Sequence, residues 1–172
     1  MNQRPALRSV LLIAAASIAL SACSKKAPAS LPPDPGPATE TAAGDASGAP
    51  VPGSQADFAA FTRGADTIYF DTDRYNIDSA DIAALQTQAQ WLSRYPNKRA
   101  TVEGHADERG TRDYNLALGE RRANAAKNYL VTLGVDPSRL TTVSYGKERP
   151  VALGSDEASW AKNRRAVTVT ID

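Results

Sequence analysis

Hydrophobic and polar positions divide the chain into three zones. From Val10 to Leu20 every residue is apolar or small and none is charged. This run is too short for a membrane-spanning helix, which needs roughly 20 apolar residues. From residue 24 to about 56 large apolar side chains are nearly absent, and Pro, Ala, Gly, Ser and Thr dominate. Such a stretch cannot bury enough surface to offset its ordering entropy, so it reads as a disordered tether. From about residue 57 to 172 the composition becomes that of a folded domain, with apolar residues at regular intervals.

Within that domain the periodicities predict alternating strands and helices. Thr67 to Phe70 reads as a strand. Ile82, Leu85, Ala89 and Leu92 form a helical stripe, capped by Asp78 or Ser79 and stopped near Pro96. Ala100 to Gly104 is a second strand. A long helix follows from about Arg112 to Leu133, with Thr111 as its cap and Gly134 as its stop. Thr141 to Tyr145 is a third strand. Ser155 opens a short helix whose Asp156 and Glu157 at the start, and Lys162 and Arg164 at the end, complement the helix dipole. The last strand alternates, with Val167, Val169 and Ile171 expected inward against Thr168 and Thr170. The fold class is therefore α/β, an α+β sandwich with one sheet and helices packed on it.

One residue breaks the pattern. On the long helix, Leu118, Ala125, Tyr129 and Leu133 make the expected core stripe, and Arg122 falls near its middle. A guanidinium facing a core is costly unless acceptors meet it. Asn115 lies on the same face, one heptad earlier. The segment from Gly104 to Thr111 leads from the second strand into this helix and carries Asp107 to the same end. An acid and a base held on rigid elements suit a zwitterionic ligand. They equally suit an internal salt bridge that only fixes the loop.

Charge narrows the partners. Lys and Arg number 20 against 19 Asp and Glu, and removing residues 1–22 takes away only Arg4 and Arg8. A near-neutral chain lacks the basic excess of a nucleic-acid binder, so recognition must be local. The one cysteine, Cys23, excludes an intrachain disulfide framework. Its setting is informative: the basic Arg4 and Arg8, the apolar run and then Leu20-Ser21-Ala22-Cys23 follow the plan of an export signal. The last four residues resemble the lipobox of bacterial lipoproteins. That resemblance implies a signal peptide over residues 1–22 and a lipidated Cys23 opening a tether over 23–56. Ser24, in place of an aspartate, favours the outer membrane. A coil of the tether's length spans roughly 30 Å and at full stretch about 110 Å.

Several stretches are recognisable together: Ile68-Tyr69-Phe70-Asp71-Thr72-Asp73-Arg74-Tyr75, Thr101 to Thr111, Tyr114 to Asn124, Val143 to Pro150, and Asn163-Arg164-Arg165-Ala166-Val167. In order and spacing they resemble the peptidoglycan-associated lipoproteins, a family of OmpA-like peptidoglycan-binding modules. The resemblance implies a β-α-β-α-β domain over 57–172, with a four-stranded mixed sheet and helices on one face. It implies binding to the meso-diaminopimelate of the peptidoglycan stem peptide. Asp107 would pair with the ligand's ammonium and Arg122 would clamp its carboxylate. Asp73 would close the pocket through main-chain groups, and Thr111, Asn115 and Leu118 would line it. It further implies the propeller protein TolB as a competing partner, an outer-membrane anchor, a periplasmic domain, a place in the Tol-Pal system with a role in cell division, and no cofactor.

Two rival readings accompany it. A peptidoglycan hydrolase using Glu103, His105 and Asp107 would need acid–base or metal chemistry, but His105 is the single histidine, and a hydrogen-bonded structural role suits it better. A related OmpA-like lipoprotein outside the Tol system would keep the pocket and lack TolB binding. Trp91 and Trp160 are expected to pack, and Glu120-Arg121 to lie on a solvated helix face.

Overall fold

A computed structural model describes residues 48–171. The signal segment, Cys23 and most of the tether lie outside these residues. The first described element was not anticipated: α1, Gln55–Thr62, is capped by the Ser54 side chain, which accepts from the Asp57 amide. Its sequence offers only Phe58 and Phe61 as large apolar anchors and follows directly on the tether, so no stripe announces it. Arg63 closes it in the left-handed region at φ 51°. The packed structure thus starts before residue 57.

The other elements follow the periodicities closely. They are β1 (Thr67–Tyr69), α2 (Ser79–Arg94), β2 (Arg99–His105), α3 (Arg112–Thr132), a 3-10 turn (Pro137–Arg139), β3 (Leu140–Gly146), α4 (Glu157–Asn163) and β4 (Arg165–Ile171). The caps have the expected chemistry. Asp78 accepts from the Ala80 and Asp81 amides at the start of α2, and Thr111 accepts from Tyr114 at the start of α3. Gly134, at φ 94°, takes the left-handed conformation just beyond α3. For the last helix the cap is Asp156, not Ser155.

The sheet order is β1-β4-β2-β3. β4 runs antiparallel to both neighbours, and β2 and β3 are parallel. The sheet is therefore mixed and four-stranded, and α3 is the crossover between the parallel pair. One face, carrying Ile68, Ala100, Val102 and Ala166, packs on Phe58 of α1, Leu85 and Leu92 of α2, and Ala126 and Leu130 of α3. α4 contributes nothing to this core. Gln88, fully buried, ties the layers together: it accepts from Thr168 and donates to the Ala65 carbonyl, each at 2.7 Å. The short edge strand β1 is held to α2 by Asp81, whose carboxylate accepts from the Tyr69 amide at 3.1 Å.

Two facing assignments differ from the sequence expectation. On β4, Ala166, Thr168 and Thr170 face the helices, whereas Val167 and Val169 are half-buried on the opposite face and Ile171 is exposed. The cause is polar complementarity. Gln88 takes the Thr168 hydroxyl, and Gln55 of α1 accepts from both the amide and the hydroxyl of Thr170. On α3 the buried stripe is Asn115, Leu118, Gly119, Arg122, Ala123, Ala126 and Leu130. Ala125, Tyr129 and Leu133 lie at its margin, half-buried. Here the small residues decide. A Cβ on Gly104 of β2 would stand 1.8 Å from the Gly119 carbonyl oxygen, and one on Gly119 would meet the Ser144 hydroxyl at 2.4 Å. The helix lies against the sheet backbone along this seam, so Gly119, Ala123 and Ala126 turn inward there and the flanking Tyr129 and Leu133 pack at the edge.

This contact generates a prediction. Gly104→Ala forces backbone against backbone, and is expected to cost about 3 kcal/mol or more in urea unfolding.

Candidate functional site

Three loops and one helix face make the site. After β1, Asp71 to Arg74 form a turn closed by the Arg74 amide on the Asp71 carbonyl at 3.1 Å. Asp73 occupies its left-handed position at φ 56°, which short polar side chains tolerate. After β2, Ala106 still donates to Gly146 of β3. Asp107 then folds the chain back by accepting from the Arg109 amide. Asn115 fixes this second loop by donating to the Arg109 carbonyl at 2.7 Å. Lys147, from the loop after β3, donates to the Glu108 and Gly110 carbonyls.

Arg122 sits beneath the first two loops and is completely buried. Its Nε donates to Arg74 O at 2.9 Å, Nη1 to His105 O at 2.8 Å and Nη2 to Asp71 O at 3.0 Å. It also lies 5.1 Å from the centre of the Phe70 ring. A guanidinium carries five N–H groups. Three are used by these carbonyls, and one on each of Nη1 and Nη2 has no hydrogen-bond partner among the described residues. Burial, then the neighbouring Arg164 charge, lower its pKa to about 10, so it stays charged at neutral pH.

Above Arg122 opens a cavity of about 280 Å³. Its walls include Asp73 and Thr72 from the first loop, Asp107 and Arg109 from the second, Asn115, Leu118 and Tyr114 from α3, and Arg164 from the end of α4. Five of the six expected pocket residues therefore converge: Asp107, Arg122, Asp73, Asn115 and Leu118. The sixth, Thr111, is not among the lining residues; its hydroxyl caps α3.

The expected pairing within the pocket differs in detail. Asp107 does form internal ion pairs, but with Arg109 (Nη2 to Oδ2, 2.6 Å) and Arg164 (Nη1 to Oδ2, 3.4 Å) in place of Arg122. Burial raises the Asp107 pKa, and the hydrogen bonds and charge of Arg109, aided by Arg164, outweigh it and hold the group below the ordinary carboxylate value. Arg109, Tyr114 and Arg164 also line the cavity, and no local pattern singles them out as pocket residues. Arg164 looked like a helix-dipole partner, yet it is buried, donating to Phe70 O at 2.9 Å and Glu157 at 2.7 Å. The signal missed was its place in the recognised run Asn163 to Val167. Tyr114 reaches across the mouth to donate to Asp73 at 3.2 Å.

Glu103, His105 and Asp107 do not assemble into one centre. The His105 ring is buried, and among the described residues neither nitrogen has a hydrogen-bond partner; it stacks on Tyr145 at 5.5 Å, with Glu103 3.5 Å from Nε2. The expected hydrogen-bonded histidine is thus a stacked one. Neither Glu103 nor His105 lines the cavity that holds Asp107. Trp91 packs as expected, edge-on to Phe58 at 5.0 Å.

The family profile of the OmpA family matches residues 69–164, which spans every element that builds the cavity. The chain belongs to the OmpA family. Among its relatives, the peptidoglycan-associated lipoprotein of Rhizobium meliloti is 48% identical over 97% of this chain and 90% of its own length. That of Mesorhizobium japonicum is 56% identical over 70% of this chain and 71% of its own. The crystal structure of the peptidoglycan-associated lipoprotein from Burkholderia pseudomallei matches with a TM-score of 0.60 and 50% identity, over 61% of this chain and 89% of that one. The C-terminal domain of Helicobacter pylori MotB shares the OmpA-type fold at 21% identity and a TM-score of 0.58, over 62% of this chain and 84% of that one.

Two outcomes follow from the geometry. Arg122→Ala leaves three loop carbonyls without their donor and is expected to cost about 3 kcal/mol or more in urea unfolding. For His105, burial first, then the Arg165 and Arg149 charges, lower the pKa from 6.5 to about 4. Above pH 6.5 neither the folded nor the unfolded state holds this proton. As the pH falls from 6.5 towards 4 only the unfolded state takes it up, so stability is lost across that window. His105→Gln removes this contribution, and its urea midpoint is expected to fall less than the wild type's between pH 7 and pH 4.5.

Proposed function

We propose that this chain is an outer-membrane lipoprotein whose domain binds peptidoglycan non-covalently through the meso-diaminopimelate of the stem peptide. The observation that carries the reading is the fully buried Arg122 on the cavity floor, with two N–H groups spare beside the Asp107 carboxylate. A planar guanidinium suits a carboxylate bidentately. In this reading Arg122 takes the ligand's carboxylate and Asp107 its ammonium. Asp73 contributes main-chain groups, and Asn115 and Leu118 form a wall. Thr111 supports the site from the α3 cap. The relatives' name, peptidoglycan-associated lipoprotein, agrees with it.

Acyl chains on Cys23 anchor the protein in the outer membrane, each buried methylene contributing about 0.8 kcal/mol, and the domain stands in the periplasm at the end of the tether. As part of the Tol-Pal system it would tie the outer membrane to the wall and support envelope constriction in cell division, with TolB competing for the surface around the cavity. It binds and does not cleave, and needs no cofactor.

Co-sedimentation of the full chain in detergent with purified sacculi tests the reading. Wild type is expected to pellet without releasing soluble fragments. Asp107→Ala and Arg122→Lys are expected to stay in the supernatant with unchanged circular dichroism. Lysine keeps the charge at 122 but loses the planar fork, so it separates recognition from folding better than alanine. Variants that pellet like wild type would place the binding site elsewhere.

A further inference from the structure

The Asp107 carboxylate is already saturated. Oδ1 accepts from the Arg109 amide and Arg109 Nε, both at 3.1 Å, and Oδ2 accepts from Arg109 Nη2 at 2.6 Å and Arg164 Nη1 at 3.4 Å. A ligand ammonium has no free lone pair to take there. The two arginines differ in what else holds them. Arg164 is 7% exposed and locked by the Phe70 carbonyl and Glu157. Arg109 is 39% exposed. Away from Asp107, its guanidinium bonds, among the described residues, only the Thr72 hydroxyl at 3.2 Å, and it stacks 4.2 Å above the Trp160 ring. Trp160 is itself fixed by donating to Glu108 at 3.0 Å. The indole face is a landing surface on which a guanidinium released from Asp107 can remain, because cation–π stacking needs no carboxylate.

We propose that Arg109 is the resident occupant of the ammonium subsite, holding Asp107 until a ligand's primary ammonium displaces it and leaves it held by the Trp160 ring on which it already stacks. This rests on the peptidoglycan reading above and deepens it, since it makes Arg109 a specificity-determining residue. While Arg109 stays on Asp107, that carboxylate is closed to a ligand and the spare N–H groups of Arg122 donate to a simple carboxylate. A ligand that carries both a carboxylate and an ammonium exchanges one cation for another at Asp107. Self-occupancy lowers apparent affinity by the fraction of molecules in which Asp107 is free. Removing the occupant therefore strengthens binding, but only for ligands that bring their own ammonium.

The test is calorimetric titration of the full chain in detergent with a stem tripeptide ending in meso-diaminopimelate. A second probe is the same tripeptide with its diaminopimelate ammonium acetylated, the N-terminus being acetylated in both. Wild type, Arg109→Ala and Arg109→Lys are compared. Arg109→Ala is expected to bind the free-ammonium tripeptide about threefold or more tighter than wild type, with no gain for the acetylated one. Arg109→Lys, which restores a resident cation, is expected to return affinity towards wild type. Arg109→Ala binding the free tripeptide no more tightly than wild type, or gaining equally for both probes, overturns the proposal and leaves the peptidoglycan reading standing. Failure of wild type and both variants to bind either probe overturns both.

Discussion

The structure turns on one buried guanidinium. Arg122 joins carbonyls of Asp71, Arg74 and His105, drawing the turn after β1 and the end of β2 onto the middle of α3. A desolvated charge of this size is tolerated only because fixed dipoles replace its water. Those dipoles are main-chain groups, which lets the side chain organise the loops without consuming their acidic residues. Asp73 and Asp107 consequently remain at the cavity wall and not beneath it.

Helix α3 reaches this position through a seam of small residues. Gly104 and Gly119 touch backbone to backbone, and a Cβ on Gly146 would stand 2.9 Å from the Leu116 amide. With the helix this close to β2 and β3, a side chain as long as Arg122 can pass beside the sheet and reach the loops beyond its edge. The cavity is thus a product of packing: the close seam sets the depth, and the guanidinium closes the floor. Its charge is set by three arginines against two aspartates, with Arg109 as the most exposed of the cations. That balance favours anionic groups in general. Discrimination among them depends on how Asp107 shares its lone pairs.

The places where sequence reasoning went astray share a cause. Alternation and helical spacing alone turn Val167, Val169 and Ile171 inward on β4 and centre the α3 stripe on Ala125, Tyr129 and Leu133, whereas Tyr129 and Leu133 pack on the core from its edge. In the folded protein the selecting groups are partners from distant segments. Gln55 and Gln88 take the threonines of β4, and the Gly104 backbone takes the glycine of α3. No local periodicity encodes those partners. Helix α1 was missed for a related reason, since its stabilising contacts, such as Asp57 with Trp91 at 2.9 Å, cross the domain.

The order of strands and helices, most of their caps, the fold class and the approach of Asp107 to Asn115 and Arg122 were all legible in local pattern. These follow from local propensities and from helix and loop spacing, which act over a few residues. An arginine on an otherwise apolar face was legible because it violated a local rule. What that arginine binds, which face of β4 meets the helices, and which cations hold Asp107 emerge from long-range packing. Those outcomes depend on carbonyls and side chains far apart in the chain, and only the closed packing of sheet, helix and loops brings them within hydrogen-bonding distance.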